Sequence, residues 1–370
     1  MAEVNRHIPF FDFRWIALVG LVLGTIACAE DQPGLVGSKF IYEQGSVSFP
    51  QCHASTIAQT TSGGLVAAWF GGTKEGNPDV SIWVSRQVDG KWSAPVEVAN
   101  GADENPRVNA LNPVLFQVPS GPLMLFYKTG KWWAYILRST DGGATWSPPE
   151  RMYNGFFGPV KNKPVLLTDG SILSPTSTEY AGEGWRVHFE RSTNGGKTWI
   201  YQGPVNDGKE IDAIQPSILF YPGNRLQALG RTKQGRLFQI WSTDGGKSWG
   251  EMSLMDLPNP NSGTDAVTLK DGRQLLVYNH TGTFPDKNTG RMVGHRSPLN
   301  VAISSDGKQW HAALVLEDEP RKEFSYPAVI QTSDGLVHIT YTYRRQMIKH
   351  VVLDPAKLRT KPIVQGVWPQ

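Results

Sequence analysis

Six short stretches, CHAS, LNPV, NKPV, IQPS, GTDA and SYPA, place His53, Asn112, Lys163, Gln215, Asp265 and Tyr326 just ahead of apolar runs. Six more, AWFGG, LFYK, STEY, ALGR, YNHT and TYRR, close such runs and supply Phe70, Lys128, Glu179, Arg231, His280 and Arg344. If the runs are strands that open onto one mouth, the two sets form polar rings around a single cavity. Arginine would offer that cavity a planar fork of donors suited to a carboxylate. Histidine gives or takes a proton near neutrality. A phenol, which titrates at about pH 10, acts at neutral pH only if a neighbour stabilises or removes its proton. Strand ends also face solvent without any function, so the reading rests on the set and not on one member.

What could bring these segments together is a repeat. STDGGATW from Ser139, STNGGKTW from Ser192 and STDGGKSW from Ser242 are followed by a degenerate SSDGKQW from Ser304 and preceded by a fainter SRQVDGKW from Ser85. Spacings of roughly 50 to 60 residues match one four-stranded propeller blade. In each copy Asp or Asn caps a turn, the glycines supply positive φ, and Trp packs beneath. A second repeat of hairpin turns, SGG (62–64), PSG (119–121), TDG (168–170), PGN (222–224), KDG (270–272) and SDG (333–335), separates paired apolar stretches. Six hairpins predict an all-β, six-bladed propeller. The last blade lacks its own Trp turn, and KFIYEQGSVSF near the N-terminus is expected to supply the missing outer strand and close the ring. With 39 Gly, 26 Pro and 13 Trp, the composition suits short strands, tight turns and aromatic cores.

Arg6 and Arg14 precede WIALVGLVLGTIACA, a run that ends in the small-x-small triplet Ala27-Cys28-Ala29. Residues 1–29 are read as a signal peptide of an exported chain, periplasmic or secreted, with lipid anchoring at Cys28 as the alternative. Residues 30–370 are then one propeller domain with Cys52 as its single cysteine, so no disulfide is expected. A net charge of +3 with both signs dispersed gives no nucleic-acid face. The glycine-rich stretches are turns and not nucleotide loops. No metal, no cofactor and a monomer are expected.

The S-x-D-x-G-x-T-W turns resemble the Asp boxes of the sialidase (neuraminidase) superfamily, and the resemblance runs from about Phe49 to Val352. It implies a carboxylate held by three arginines, a tyrosine nucleophile assisted by a glutamate, and an aspartate acid/base on a loop. Residue by residue, Arg231 in LGRTKQG and Arg296 in HRSPLNVAISSDG match two arginines, Tyr326 in FSYPAVIQTSDG matches the nucleophile, and Asp79 in GNPDVSIWVSR lies in the acid/base loop, with Glu75 nearby. Two positions depart from the pattern: His53 stands where the first arginine belongs, and Gln215 replaces the glutamate. Gln215 orients a hydroxyl but cannot accept its proton. Arg231, Arg296, Gln215, Arg344 and Lys128 are expected to contact an acidic oligosaccharide or polysaccharide, with Tyr326, His53 and Asp79 handling the chemistry. The resemblance implies a glycoside hydrolase. Histidine and tyrosine as base and acid also suit elimination across a uronic acid, as in polysaccharide lyases of similar shape, and a glycan-binding propeller without catalysis is the third reading.

Overall fold

A computed structural model describes residues 1–2, 32–153, 155–180, 182–288, 290 and 292–370. The signal-peptide and Cys28 readings therefore lie outside the described residues. Among the described residues of Pro33–Gln370 every regular element is a strand; six antiparallel sheets of four or five strands form propeller blades, and Phe284–Pro285 pairs with Met292–Val293 in a separate two-stranded sheet.

Blade 1 runs Gln51–Gln59, Leu65–Gly72 and Ser81–Val88, with Lys91–Trp92 and Val96–Ala99 both on its outer edge. Blades 2 and 3 start from Ala110–Gln117 and Val165–Leu166, and blades 4 and 5 from Ala213–Tyr221 and Asp265–Thr268. Blade 6 is built from Phe324–Gln331, Val337–Tyr343 and Met347–Leu353. Its outer strand is Leu35–Phe40, paired antiparallel with Met347–Leu353, so the N-terminal segment closes the ring. The closing strand starts earlier than the sequence suggested and shares only Lys39 and Phe40 with the expected segment. Leu35–Phe40 is a largely exposed edge with no apolar alternation to betray it. The apolar Ile41, Tyr42 and Phe49 that drew attention instead pack on Trp69 and Cys52.

Stability comes from burial between neighbouring blades. Tyr127, Leu125 and Ala68 fill the space between blades 1 and 2, Phe126 and Trp199 that between 2 and 3, and Phe189 and Phe238 that between 3 and 4. Leu237 with Tyr278, and Val301 with Tyr341, do the same further round. The Asp-box turns sit outside this core and are locked by one repeated scheme. Ser139 Oγ donates to Asp141 and accepts from the Gly143 amide, while Asp141 Oδ1 accepts the Ala144 and Thr145 amides. Ser192/Asn194, Ser242/Asp244 and Ser304/Asp306 repeat it. Gly142 and Gly143 adopt φ of 69° and 82°, which a Cβ would strain.

Candidate active site

Four of the six inner strands, those of blades 1, 2, 4 and 6, enter the hub through the same kink. The pairing register jumps between His53 and Thr56, Leu111 and Val114, Ile214 and Ser217, and Ser325 and Ala328. The bulged residues Ala54, Asn112, Gln215 and Tyr326 take φ of 56°, 51°, 57° and 52°. A bulge re-aims one side chain out of the ladder, here toward the channel, and holding a non-glycine residue left-handed costs roughly 1–2 kcal/mol.

Counting back from the hairpin-closing pairs gives the true inner ring: Ala54, Asn112, Lys161, Gln215, Gly263 and Tyr326. The sequence motifs point instead to His53, Lys163 and Asp265 in blades 1, 3 and 5; in blade 3 the X-Pro dipeptide is displaced, because Pro164 lies nearer its hairpin than Pro113, Pro216 or Pro327 do. The second ring is Phe70, Lys128, Ser177, Arg231, Asn279 and Thr342, which displaces Glu179, His280 and Arg344 from the positions expected of them.

Tyr326 is the centre of the constellation. Arg231 Nη1 donates to its hydroxyl at 2.8 Å, and the guanidinium carbons of Arg231 and Arg296 lie 5.4 and 5.5 Å from its ring centroid. The ring rests against Gly263, where a Cβ would approach to 3.1 Å. His53, one residue before the bulge, is buried with its ring centroid 4.1 Å from that of Tyr326, and its Nδ1 shares a 2.9 Å hydrogen bond with Thr342 Oγ1. Burial, then the charges of Arg345, Arg296, Arg231 and Lys161, hold the imidazole well below its ordinary pKa. His53 is thus a neutral base in a cationic setting.

Arg345, which the sequence reading passed over in favour of its neighbour, is the charge that acts most strongly on His53. Arg344 and Arg345 both have positive φ, 53° and 60°, in the turn after Val337–Tyr343. That turn sends Arg344 to Glu319 and Arg345 to the mouth. Arg345 Nε donates to Glu323 at 2.8 Å and Nη1 to Glu75 at 2.6 Å, and Arg296 Nη1 reaches the same Glu323 oxygen at 3.0 Å. Burial pushes the Glu323 carboxyl up, but Arg296 and Arg345 outweigh it and keep it ionised. One carboxylate therefore ties two guanidiniums together.

Lys161 was also missed, and counting back from the TDG turn would have found it. Its ammonium is buried, donates to Thr264 O at 2.6 Å and to Pro327 O, and so props the backbone just after Tyr326. Asp265, expected at the ring, is instead a buried tie between blades, paired with Lys163 at 2.8 Å and accepting from Ser217 and the Val329 amide. Gln215 is buried, and its Oε1 has no partner among the described residues. Lys128 is buried, its Nζ has no hydrogen-bond partner among the described residues and lies 5.6 Å from the Trp132 ring centroid, and Glu190 of blade 3 is the carboxylate whose charge acts on it. Asp79 accepts the Thr73 amide and hydroxyl at 2.8 and 2.5 Å, which pins the 73–79 loop and lowers its carboxyl pKa. The structure brings His53, Arg231 and Arg296 against Tyr326 and sets Gln215 at the equivalent bulge of blade 4, and it leaves Lys128, Arg344 and Asp79 in contacts of their own.

A family model described as BNR repeat-like domain matches residues 63–339. Among curated proteins, the anhydrosialidase of Macrobdella decora is 22% identical over 266 residues, covering 66% of this chain and 32% of that protein. The chain thus spans about a third of the length of the curated relative it matches. Among solved structures, a protein of unknown function from Dyadobacter fermentans aligns with a TM-score of 0.69 at 19% identity, covering 89% of this chain and 100% of that one. The NanB sialidase of Streptococcus pneumoniae gives 0.66 at 12% identity over 87% and 71% of the two chains. The intramolecular trans-sialidase of Ruminococcus gnavus gives 0.65 at 13% identity over 89% and 99%. At such identities these structures establish a shared fold.

Proposed function

The chain belongs to the BNR repeat-like domain family, and on that premise we propose that it is an exported sialidase-like glycosidase acting on a carboxylated sugar of a glycan. The observation that carries this reading is the meeting of Arg231 and Arg296 at Tyr326, with Arg345 tied to Arg296 through Glu323. Three fixed guanidiniums at one mouth suit a planar anion. Glu323, which holds Arg296 and Arg345, and Glu75, which holds Arg345, are the carboxylates a substrate would compete with. Because Arg231 donates to the Tyr326 oxygen, it stabilises negative charge there as the phenol gives up its proton. His53 is the neutral base in contact with Tyr326, and it takes the role that Gln215 cannot fill.

The same pair favours a second reading. With glutamine in place of the assisting carboxylate, a neutral His53 could draw the acidified proton beside a uronate carboxylate while Tyr326 protonates the leaving oxygen. Incubating the protein with sialyl- and uronate-terminated oligosaccharides separates the two. Free sugar without new ultraviolet absorbance is the expected outcome, and an absorbing unsaturated uronate product would replace hydrolysis by elimination. Glycan binding with neither product would overturn both.

A further inference from the structure

The glycosidase reading leaves the source of the leaving-group proton open, because the carboxylates around the mouth are mostly committed. Asp79 is held by Thr73, Glu75 by Arg345, Glu323 by Arg296, Arg345 and Ser325, Glu319 by Arg344, and Asp212 by Lys233 and the Trp185 amide. For Asp79 and Glu323 these partners lower the carboxyl pKa and so favour the ionised form, the wrong state for an acid, and the others are occupied by their partners. Glu179 differs. No hydrogen bond or ion pair to its carboxylate occurs among the described residues, and it lies at the outer end of Ile172–Tyr180.

Register fixes where it points. Ser177 shares the ring level of Arg231, and Glu179, two residues on, lies on the same face of the strand one step further out. It pairs across the strand with Trp185, whose ring centroid lies 5.2 Å from the Arg231 guanidinium and 4.6 Å from Lys233 Nζ. A sugar whose carboxylate is held at the arginines would therefore direct its glycosidic oxygen outward along the wall that Glu179 occupies.

We propose that Glu179 is the general acid that protonates the departing oxygen, a role that rests on the glycosidase reading. In the first step the Tyr326 oxygen bonds to the anomeric carbon and passes its proton to His53. The glycosidic C–O bond breaks, its electron pair goes to the leaving oxygen, and that oxygen takes the Glu179 proton. In the second step water attacks the same carbon and yields a proton to the Glu179 carboxylate, while the Tyr326–carbon bond breaks and His53 returns the proton to the phenol. The sum is one glycoside and one water consumed, with Tyr326, His53 and Glu179 all restored. Glu179 is exposed at the strand end, yet the protein packed around its carboxyl lifts the pKa, the Arg231 and Lys233 charges oppose that rise, and the Glu75 charge adds to it.

The test is the leaving-group dependence of Glu179→Gln, using nitrophenyl glycosides of sialic acid and glucuronic acid beside the same sugars linked to lactose. A nitrophenolate departs without help, whereas a sugar alkoxide needs the proton. The variant should lose at least about 100-fold in kcat/KM on the lactose-linked substrate and less than about tenfold on the nitrophenyl one. Equal losses on both, no loss on either, or the same selective loss in Asp79→Asn would overturn the assignment while leaving the glycosidase reading intact. A wild-type protein that cleaves neither substrate would overturn both.

Discussion

Replacing Arg345 by alanine should lower kcat/KM for a carboxylated substrate by about 100-fold, whereas the same change at Arg344 should cost less than about threefold. The contrast follows from what each guanidinium touches. Arg345 is half-buried, is gripped by Glu323 and Glu75, and acts on His53 more strongly than any other charge. Removing it takes away a carboxylate partner and leaves Glu323 with Arg296 alone, a loss of the kind that costs about 2–5 kcal/mol when one member of a hydrogen-bonded charge pair is deleted. Arg344 lies outside the basin against Glu319, and exposed pairs contribute about 0–1 kcal/mol. Steady-state kinetics of the two variants, with thermal melts to confirm that both fold, give the comparison. Equal losses would place the third guanidinium elsewhere.

His53→Ala should reduce kcat by at least about 100-fold, the range for removing a general base, with a smaller effect on KM. The pH profile adds a signature that a packing role would not produce. A free imidazole gains a proton as pH falls through 6.5, whereas burial and the charges of Arg345, Arg296, Arg231 and Lys161 hold His53 in its neutral form below that value. Wild-type activity should therefore not fall as pH drops through 6.5 and should decline only at lower pH. In Arg345→Ala, which removes the strongest of those charges, the decline should begin at higher pH. A wild-type half-activity point at the ordinary imidazole value, unmoved by Arg345→Ala, would remove His53 from the proton path.

Much of this arrangement was readable in advance because propeller signals are local. The Asp-box serines, the paired glycines and the six hairpin turns each encode their own geometry, so blade number and order followed from spacing. Tyr326, Gln215 and Arg231 were placed because bulge, proline and hairpin keep constant spacing in blades 4 and 6. The reading slipped where that constancy failed. In blade 3 the proline moves relative to the hairpin, and Lys161 was hidden behind Lys163. In blade 6 the two neighbouring arginines are themselves left-handed, so Arg344 and Arg345 leave in different directions, which sequence alternation does not report. The closing strand escaped because an exposed edge needs no apolar period.

The central claim is that the mouth recognises a carboxylate through its guanidiniums, and calorimetric titration of the wild-type protein tests it most directly. Sialic acid and glucuronic acid are each compared with their own methyl esters, which keep the ring and hydroxyls and lose only the charge. At least one acid should bind more than about tenfold tighter than its ester, with the difference shrinking as salt is raised. Equal affinity of acid and ester in both pairs, at low and high salt alike, would contradict the account.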